Sequence, residues 1–460
     1  MHKGLAAVIL AAGKGTRMKS ALPKVLHPIC GQPMLAYPIQ AARKAGFEQM
    51  SVVVGHQAER VREVFAGEQV SWVEQAEQLG TGHALLCAAE SLAGFSGTLL
   101  LLCGDVPLLQ ADILEQFLNY HKHEKATVTV LTAEMNNPEG YGRIIRNNEQ
   151  VLKIVEEKDA MLEERSITEI NTGTYLFDAK FVFEALKGLK TDNAQGEYYL
   201  TDVVAAAVAA GKKTRAISVP DPTQVMGIND RRQLAEAEAV MRWHINSDLM
   251  LAGVSMIDPT TVYVDKTVTV GPDTVLHPNV QLRGVTKIGS NCTVETGVVV
   301  VDSTVGDATV LKAGSAIEEA QIGPGCKIGP MAHLRPGTVL TGDNKIGNFV
   351  ETKKALLGKG SQSSHLTYIG DAEVGSNVNF GCGTITCNYD GANKHKTTIE
   401  DDVFIGSDVQ FIAPVKIGRN SLIGAGSTIT KDVPADSLAI ARSEQKVVEG
   451  WALRKKQKKS

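Results

Sequence analysis

The sequence predicts two architectures in one chain: an α/β domain followed by a parallel β-solenoid built on a six-residue repeat. Two observations predict them. Short, wholly apolar runs (Ala6-Ala7-Val8-Ile9-Leu10, Val52-Val53-Val54, Leu99-Leu100-Leu101-Leu102) are separated by helix-like segments over residues 1–228, the pattern of buried parallel strands. Near the C-terminus an apolar side chain returns at every sixth position, at Ile399, Ile405, Phe411, Ile417, Ile423 and Ile429, and glycine follows at Gly406, Gly418 and Gly424. A period of six fits neither a helix nor a simple strand alternation. It marks a hexapeptide solenoid, whose coils have three short faces with the sixth side chain turned inward.

The same ruler runs far upstream. Val264, Val270, Leu276, Leu282, Ile288, Val294 and Val300 keep the step; Val305, Leu311 and Ile317 follow a one-residue slip; Ile322, Ile328, Leu334, Leu340 and Ile346 follow another. At eighteen residues per coil this gives about ten coils, roughly 50 Å of stack at about 4.8 Å per coil. Between the two architectures, Leu234, Ala237, Met241, Ile245 and Leu249 recur at steps of three or four and predict a connecting helix over 229–252, closed by Gly253. The layout is therefore an α/β domain over 1–228, the helix, and a solenoid domain over 253–460. The basic end, Arg454-Lys455-Lys456-Gln457-Lys458-Lys459, reads as a solvated, disordered tail.

Composition narrows the classes. A chain of 460 residues is too long for one core. A net charge of −4 gives no argument for binding nucleic acid or a membrane surface, and no apolar run approaches a membrane span. Aromatics at 5% suit a narrow solenoid filled by small aliphatics. The seven cysteines are odd in number and form no CxxC pair, so neither disulfides nor zinc are expected and reduced cytoplasmic thiols are. The apolar start, Leu5 to Ala12, is short for a signal-peptide core and reads as the first strand.

The first candidate site follows that strand. Leu10-Ala11-Ala12-Gly13-Lys14-Gly15-Thr16-Arg17-Met18 is succeeded by Pro23-Lys24. Glycines let a backbone approach phosphate closely, and Arg17 and Lys24 supply charge against a polyphosphate. A bare GxG is usually only a tight turn, and this one is neither a dinucleotide fingerprint nor a Walker A loop. Gly104-Asp105 ends the apolar run Leu99 to Leu102, at the strand ends where α/β sheets bind ligands, although an aspartate there can simply cap a helix.

The whole string, with its arginine and Pro-Lys, resembles the signature of sugar-1-phosphate nucleotidyltransferases. The resemblance implies that Leu10, Ala11, Ala12, Gly13, Gln75, Gly80, Thr81 and Gly104 hold the nucleotide. It assigns Gly142, Glu156 and Asn171 to the sugar, and Asp105 and Asn229 to Mg²⁺. Two oxygen ligands plus phosphates and water suit that ion. A sugar 1-phosphate would attack the α-phosphorus of UTP and pyrophosphate would leave, with Arg17 and Lys24 stabilising the charge.

The second candidate site lies where the ruler fails, after Ile346 and again after Phe380. These gaps hold Asn348-Phe349-Val350-Glu351-Thr352-Lys353-Lys354, His365-Leu366-Thr367-Tyr368 and Thr384-Ile385-Thr386-Cys387-Asn388-Tyr389-Asp390-Gly391-Ala392-Asn393-Lys394. Function in repeat folds tends to sit at interruptions. A lone loop histidine is usually just solvated, but here Arg335, Lys353, Lys394, Asn388 and Tyr389 are expected nearby.

These strings closely resemble the acetyltransferase half of the bacterial bifunctional N-acetylglucosamine-1-phosphate uridyltransferases/glucosamine-1-phosphate acetyltransferases, and the resemblance covers Val8 to about Trp451. It implies a Rossmann-like nucleotidyltransferase domain, a left-handed parallel β-helix, and a cytoplasmic homotrimer making UDP-N-acetylglucosamine. The substrates would be glucosamine 1-phosphate, acetyl-CoA, N-acetylglucosamine 1-phosphate and UTP. His365 would be the general base; histidine is the side chain whose ordinary pKa suits proton transfer near neutrality. Arg335, Lys353, Tyr368, Asn379 and Lys394 would bind the sugar phosphate. Cys382, Asn388, Tyr389, Ser407, Ala425 and Arg442 would hold acetyl-CoA, with Cys382 standing where the family more often has alanine. Two alternatives remain from the residues: a single-activity nucleotidyltransferase with a structural or regulatory solenoid, and a non-enzymatic assembly subunit.

Overall fold

The computed structural model describes residues 4–457. It divides into two compact units, one ending at Met241 and one beginning at Arg242. The boundary falls inside a single helix, Arg231–Leu251. The helix falls within residues 229–252 and starts at Arg231 because the Asp230 carboxylate accepts from the Arg232 and Gln233 N–H groups, at 2.9 Å each. Asn229 therefore sits outside the helix.

The first unit is a nine-stranded mixed sheet. Its strands are β1 (Leu5–Ala11), β2 (Gln49–Val54), β3 (Ser71–Glu74), β4 (Thr98–Cys103), β5 (Val128–Glu134), β6 (Arg143–Asn147), β7 (Gln150–Val155), β8 (Glu169–Asp178) and β9 (Thr214–Ser218). The order is β9-β5-β8-β4-β1-β2-β3, with β6 and β7 forming an arm off β8. The three apolar runs are the parallel strands β1, β2 and β4, and the apolar start is an interior strand lying between the other two. β8 runs antiparallel to both β4 and β5.

The runs are continuous because each face is covered. Ala7, Ile9, Val52 and Leu100 pack into one core with Leu35, Ile39 and Phe117. Ala6, Val8, Val53 and Leu101 pack into another with Leu85, Val182 and Val203. Alternate residues of one strand thus enter two different cores, which erases any polar alternation.

The second unit is a parallel β-helix. Twenty-six strands were found among the described residues. Short strands three apart in order pair in parallel, as in Tyr263–Val264 with Gln281–Arg283 and Lys287–Ile288 with Thr304–Val305. Two long strands, Lys345–Leu357 and Gln362–Val374, each trace all three faces of a coil, so the stack holds about ten coils. The ruler residues point inward: Leu276, Leu282, Val294, Val300, Leu311, Ile317, Ile328 and Ile346 are fully buried. A second interior position lies two residues before each, filled by a small side chain such as Thr274, Thr286, Ser303 or Ser315.

One expectation is corrected. The repeat is not interrupted after Ile346; the coils continue with Val350, Thr352, Ala355, Leu357, Ser363 and Thr367 inside. Small and hydroxyl side chains replace the aliphatics there, so the ruler vanished from the sequence while the structure persisted. His365 accordingly lies on a strand rather than in a loop. The true insertion is the stretch after Cys387: Thr386 pairs with Phe411, twenty-five residues on.

The tail differs too. Trp451–Gln457 is a short exposed helix, built from strong helix formers with the Lys455 ammonium 4.9 Å over the Trp451 ring. Lys458 and Lys459 lie outside the described residues. Among the described residues no helix is long and apolar enough to cross a membrane.

Candidate active sites

In the first unit the sheet delivers its polar residues to the carboxyl ends of β1 and β4. Leu10 and Cys103 are in register, and the Gly104 N–H donates to the Leu10 carbonyl at 2.8 Å. These two ends, with Gln75, Gly80 and Thr81, line a cavity of about 260 Å³ that also touches Ala11, Ala12, Gly13, Lys24 and Asp105. Gln75 is buried, and its amide donates to the Gly80 carbonyl and His83 Nδ1, each at 3.1 Å. Gly80 has φ +108°, and a Cβ there would stand 2.7 Å from the Tyr198 carbonyl oxygen. Glycine is required at that close approach.

At the cavity's edge the Lys24 ammonium lies 2.5 Å from Asp105 Oδ2 and 3.1 Å from Asn229 Oδ1. Asp105 and Asn229 thus converge on one cation. Two hard oxygen donors around a single cation position fit a divalent ion that completes its shell with phosphate and water. Among the described residues no group of three His, Cys, Asp or Glu could hold a metal. Arg17 is exposed on the turn Thr16–Met18 and does not line the cavity. Its charge reaches Asp230, next to Asn229, whose carboxyl is held low first by the Gln233 N–H and only in small part by Arg17.

Gly142, Glu156 and Asn171 meet beside β8. The Asn171 N–H donates to the Gly142 carbonyl at 2.8 Å, and a Cβ on Gly142 would lie 3.6 Å from Glu156 Oε2. Burial pushes the Glu156 carboxyl up, opposed by the Thr201 hydroxyl that donates to it at 3.2 Å. Cys103, Gln78, Glu197 and Thr201 are polar neighbours that sequence reasoning did not single out. The Cys103 thiol is pushed up to about 12 by burial and by the Asp105 carboxylate, so it is a neutral wall of the cavity.

In the second unit the candidate residues fall on two corners of the coils. At the first, Asn348, His365, Cys382, Ser407 and Ala425 each immediately precede a left-handed residue: Phe349, Leu366, Gly383, Asp408 and Gly426. They stack coil upon coil. Asn348 is in register with His365, Gly383 N–H donates to the Leu366 carbonyl, Asp408 N–H to that of Cys382, and Gly426 N–H to that of Ser407. Arg442 caps the ladder, its guanidinium donating to the Ala425 carbonyl at 2.6 Å. The His365 Nδ1–H donates to Asn348 Oδ1 at 2.7 Å; in the neutral imidazole this tautomer places the proton-accepting lone pair on Nε2. Asn348 had no role from the sequence, although counting one coil back from His365 finds it.

The second corner carries the cations. Arg335 donates to Glu351 Oε1 at 2.6 Å; Glu351 is in register with Tyr368. The Lys353 ammonium is held below its ordinary value, first by the Lys394 charge, then by its contact with Lys394 and by Arg335. Such crowding of cations is what an anion relieves. Asn388 donates to Asp371 Oδ2 at 2.5 Å, and the exposed Tyr389 donates to the Gly391 carbonyl at 2.6 Å. Asn379 lies on a third stretch, paired with Gln362 and Phe404. Leu366 and Asp371, the left-handed residues of the two corners, are separated by one strand face, on the order of 15 Å. Within one chain, therefore, Asn388 and Tyr389 stand apart from Ser407, Ala425 and Arg442.

Comparison with known proteins bears on both units. Residues 7–215 match the family described as the MobA-like NTP transferase domain. Residues 258–360 match the GMPPB C-terminal domain, and residues 396–431 match the bacterial transferase hexapeptide repeats, so the β-helix is of the left-handed hexapeptide type. The bifunctional protein GlmU of Syntrophotalea carbinolica is 62% identical over 98% of each chain. That of Pelobacter propionicus is 56% identical over 99% of this chain and all of its own, and that of Geobacter sulfurreducens is 54% identical over 98% and 99%. Likeness of that extent spans the cavity of the first unit and both corners of the second, and the chain belongs to the family of the bifunctional protein GlmU.

Proposed function

We propose that the chain is the bifunctional enzyme of UDP-N-acetylglucosamine synthesis. The second unit acetylates glucosamine 1-phosphate, and the first transfers UMP from UTP to the product with release of pyrophosphate. The observation that carries acetyl transfer is the His365–Asn348 pair. Asn348 fixes the imidazole with Nε2 free, so His365 takes a proton from the substrate amine, which attacks the thioester carbonyl directly; the C–S bond then breaks and CoA leaves as the thiolate, which takes up the proton. Arg335, Lys353 and Lys394 bind the sugar phosphate with Tyr368 and Asn379. Ser407, Ala425 and Arg442, on the ladder with Cys382, hold acetyl-CoA.

The separation of the two corners supports a site completed by a second copy of the chain. In a closed ring each cationic corner, with its Asn388 and Tyr389, would face the His365 ladder of a neighbour; we take the ring to be a cytoplasmic homotrimer.

For uridylyl transfer, Asp105 and Asn229 would hold Mg²⁺, which when bound supplies positive charge at the phosphates. Lys24 and Arg17 add charge to the departing pyrophosphate, while Gln75, Gly80 and Thr81 orient the base. Gly142, Glu156 and Asn171 orient the sugar so that its phosphate meets the α-phosphorus.

Purified Asp105→Ala and His365→Ala proteins, each assayed for both half-reactions, test the scheme. Asp105→Ala loses uridylyl transfer alone and His365→Ala loses acetyl transfer alone. A wild-type protein that cannot consume acetyl-CoA with glucosamine 1-phosphate would sink the bifunctional reading.

A further inference from the structure

We infer that Arg143 is the positioning residue of the sugar side of the uridylyl-transfer site, an inference that rests on Gly142, Glu156 and Asn171 being sugar contacts. Arg143 is the largest fully buried side chain of the protein's described residues, with 2% of its side chain exposed. A charged side chain is almost never buried so fully without specific partners.

Its place in the sheet is particular. Arg143 opens β6, directly after Gly142. Across β8 it is in register with Ile170, which precedes Asn171. Across β7 it is in register with Val155, which precedes Glu156. The three proposed sugar contacts are thus the chain neighbours of Arg143 and of its two cross-strand partners.

The guanidinium then fastens these strands. Nη2 donates to Glu157 Oε2 at 2.7 Å, Nη1 donates to the Tyr141 carbonyl, and Nε donates to the Arg165 carbonyl at 3.4 Å. Glu157 also accepts from the Gly140 N–H at 3.4 Å. One planar group therefore ties the segment before Gly142 to the residue after Glu156. Lysine, a point charge on a flexible stem, cannot make three such directed bonds. Arg143 touches no substrate in this scheme; it sets the spacing of residues that do.

The test uses the full chain. Initial rates of uridylyl transfer are measured for Arg143→Ala and Arg143→Lys with each substrate varied, alongside acetyl transfer and thermal unfolding. The expected result is a KM for N-acetylglucosamine 1-phosphate raised about tenfold or more, a KM for UTP within twofold of wild type, no recovery by lysine, and partial recovery of Arg143→Ala by added guanidinium. Loss of activity only in proportion to unfolded protein, or KM values for both substrates rising together, overturns the inference. If Arg143→Ala does not fold, Glu157→Gln keeps the volume and loosens the guanidinium. It should raise the sugar KM about threefold, and an unchanged KM overturns the inference. Glu156→Gln separates the two claims: an unchanged sugar KM there removes the reading of the sugar contacts, whatever Arg143 does.

Discussion

The Lys24 ammonium lies 2.5 Å from the Asp105 carboxylate, in a side-chain environment only 12% and 23% exposed respectively. Asn229 shares the same ammonium. If Asp105 and Asn229 hold the metal as proposed, it would compete with Lys24 for the same two oxygens. In Lys24→Met, Mn²⁺ binding without nucleotide should tighten about tenfold, equivalent to about 1.4 kcal/mol, read by electron paramagnetic resonance of free Mn²⁺. Adding Asp105→Asn should abolish that gain. Unchanged Mn²⁺ affinity in Lys24→Met would show that the two cations do not share a position.

In the proposed acetyl transfer Asn348 acts through His365, whose Nδ1 it holds at 2.7 Å. Replacing it with alanine removes the acceptor at Nδ1 and frees the ring to turn or change tautomer. Acetyl transfer in Asn348→Ala should fall in kcat by about 10- to 100-fold, within the range that general base catalysis supplies. The KM for acetyl-CoA and the uridylyl-transfer rate should stay near wild type. A kcat equal to wild type would mean the pair does not orient the base.

Gly80→Ala addresses the proposed nucleotide pocket. Alanine at φ +108° is strained, and its Cβ would meet both the Tyr198 carbonyl oxygen at 2.7 Å and the Tyr198 nitrogen at 2.9 Å. That backbone is pinned by the Tyr198 N–H donating to the Leu79 carbonyl at 2.8 Å, so it cannot retreat freely. The expected cost is about 1–3 kcal/mol in stability. The KM for UTP should rise, because Gln75 holds the Gly80 carbonyl. Thermal unfolding and initial rates check both.

His121 gives the first unit an acid-sensitive core. Burial lowers its pKa to about 4, and its Nδ1 is 2.7 Å from the Thr129 hydroxyl. The folded chain keeps it neutral while the unfolded chain protonates it near 6.5. Between those values the unfolded state holds more protons, so stability falls as pH drops from about 6.5 to about 4 and is not lost further by this group below that. The full effect is about 3 kcal/mol. His121→Gln should flatten the stability profile over that window, measured by urea unfolding of the full chain; a slope identical to wild type would contradict this.

Much of the fold was legible because its signal was apolar. β1, β2 and β4 were visible as runs, and the solenoid as a ruler of Ile, Leu and Val. What escaped was small and polar. The second interior position is held by residues such as Thr274, whose hydroxyl donates to the Gly289 carbonyl at 2.8 Å, and Thr286, whose hydroxyl donates to the Arg283 carbonyl at 2.7 Å. Internal bonding lets these hydroxyls be buried, yet they leave no hydropathy trace. The coils around Thr352 and Ser363 vanished from the sequence for that reason. Arg17 is exposed on its turn, so no contact within the chain marks the role that the motif implies for it. Arg143 is unreadable because its meaning lies in register across strands, and Asn348 is found only by counting one coil back from His365.

The His365–Arg442 ladder makes the number of coils a functional dimension. Each coil raises the corner by about 4.8 Å, so the distance between the proposed base and the far end of the proposed acyl-donor site is counted in whole turns of the chain. Removing one turn from the stretch Val264 to Ile328 would shorten the column without altering that count. Removing one between His365 and Ala425 would move every later contact by a full step, which no side-chain adjustment can make good. On the proposed acyl-donor site, the protein could drift in length upstream while its downstream half would be quantised by the reach of a single ligand.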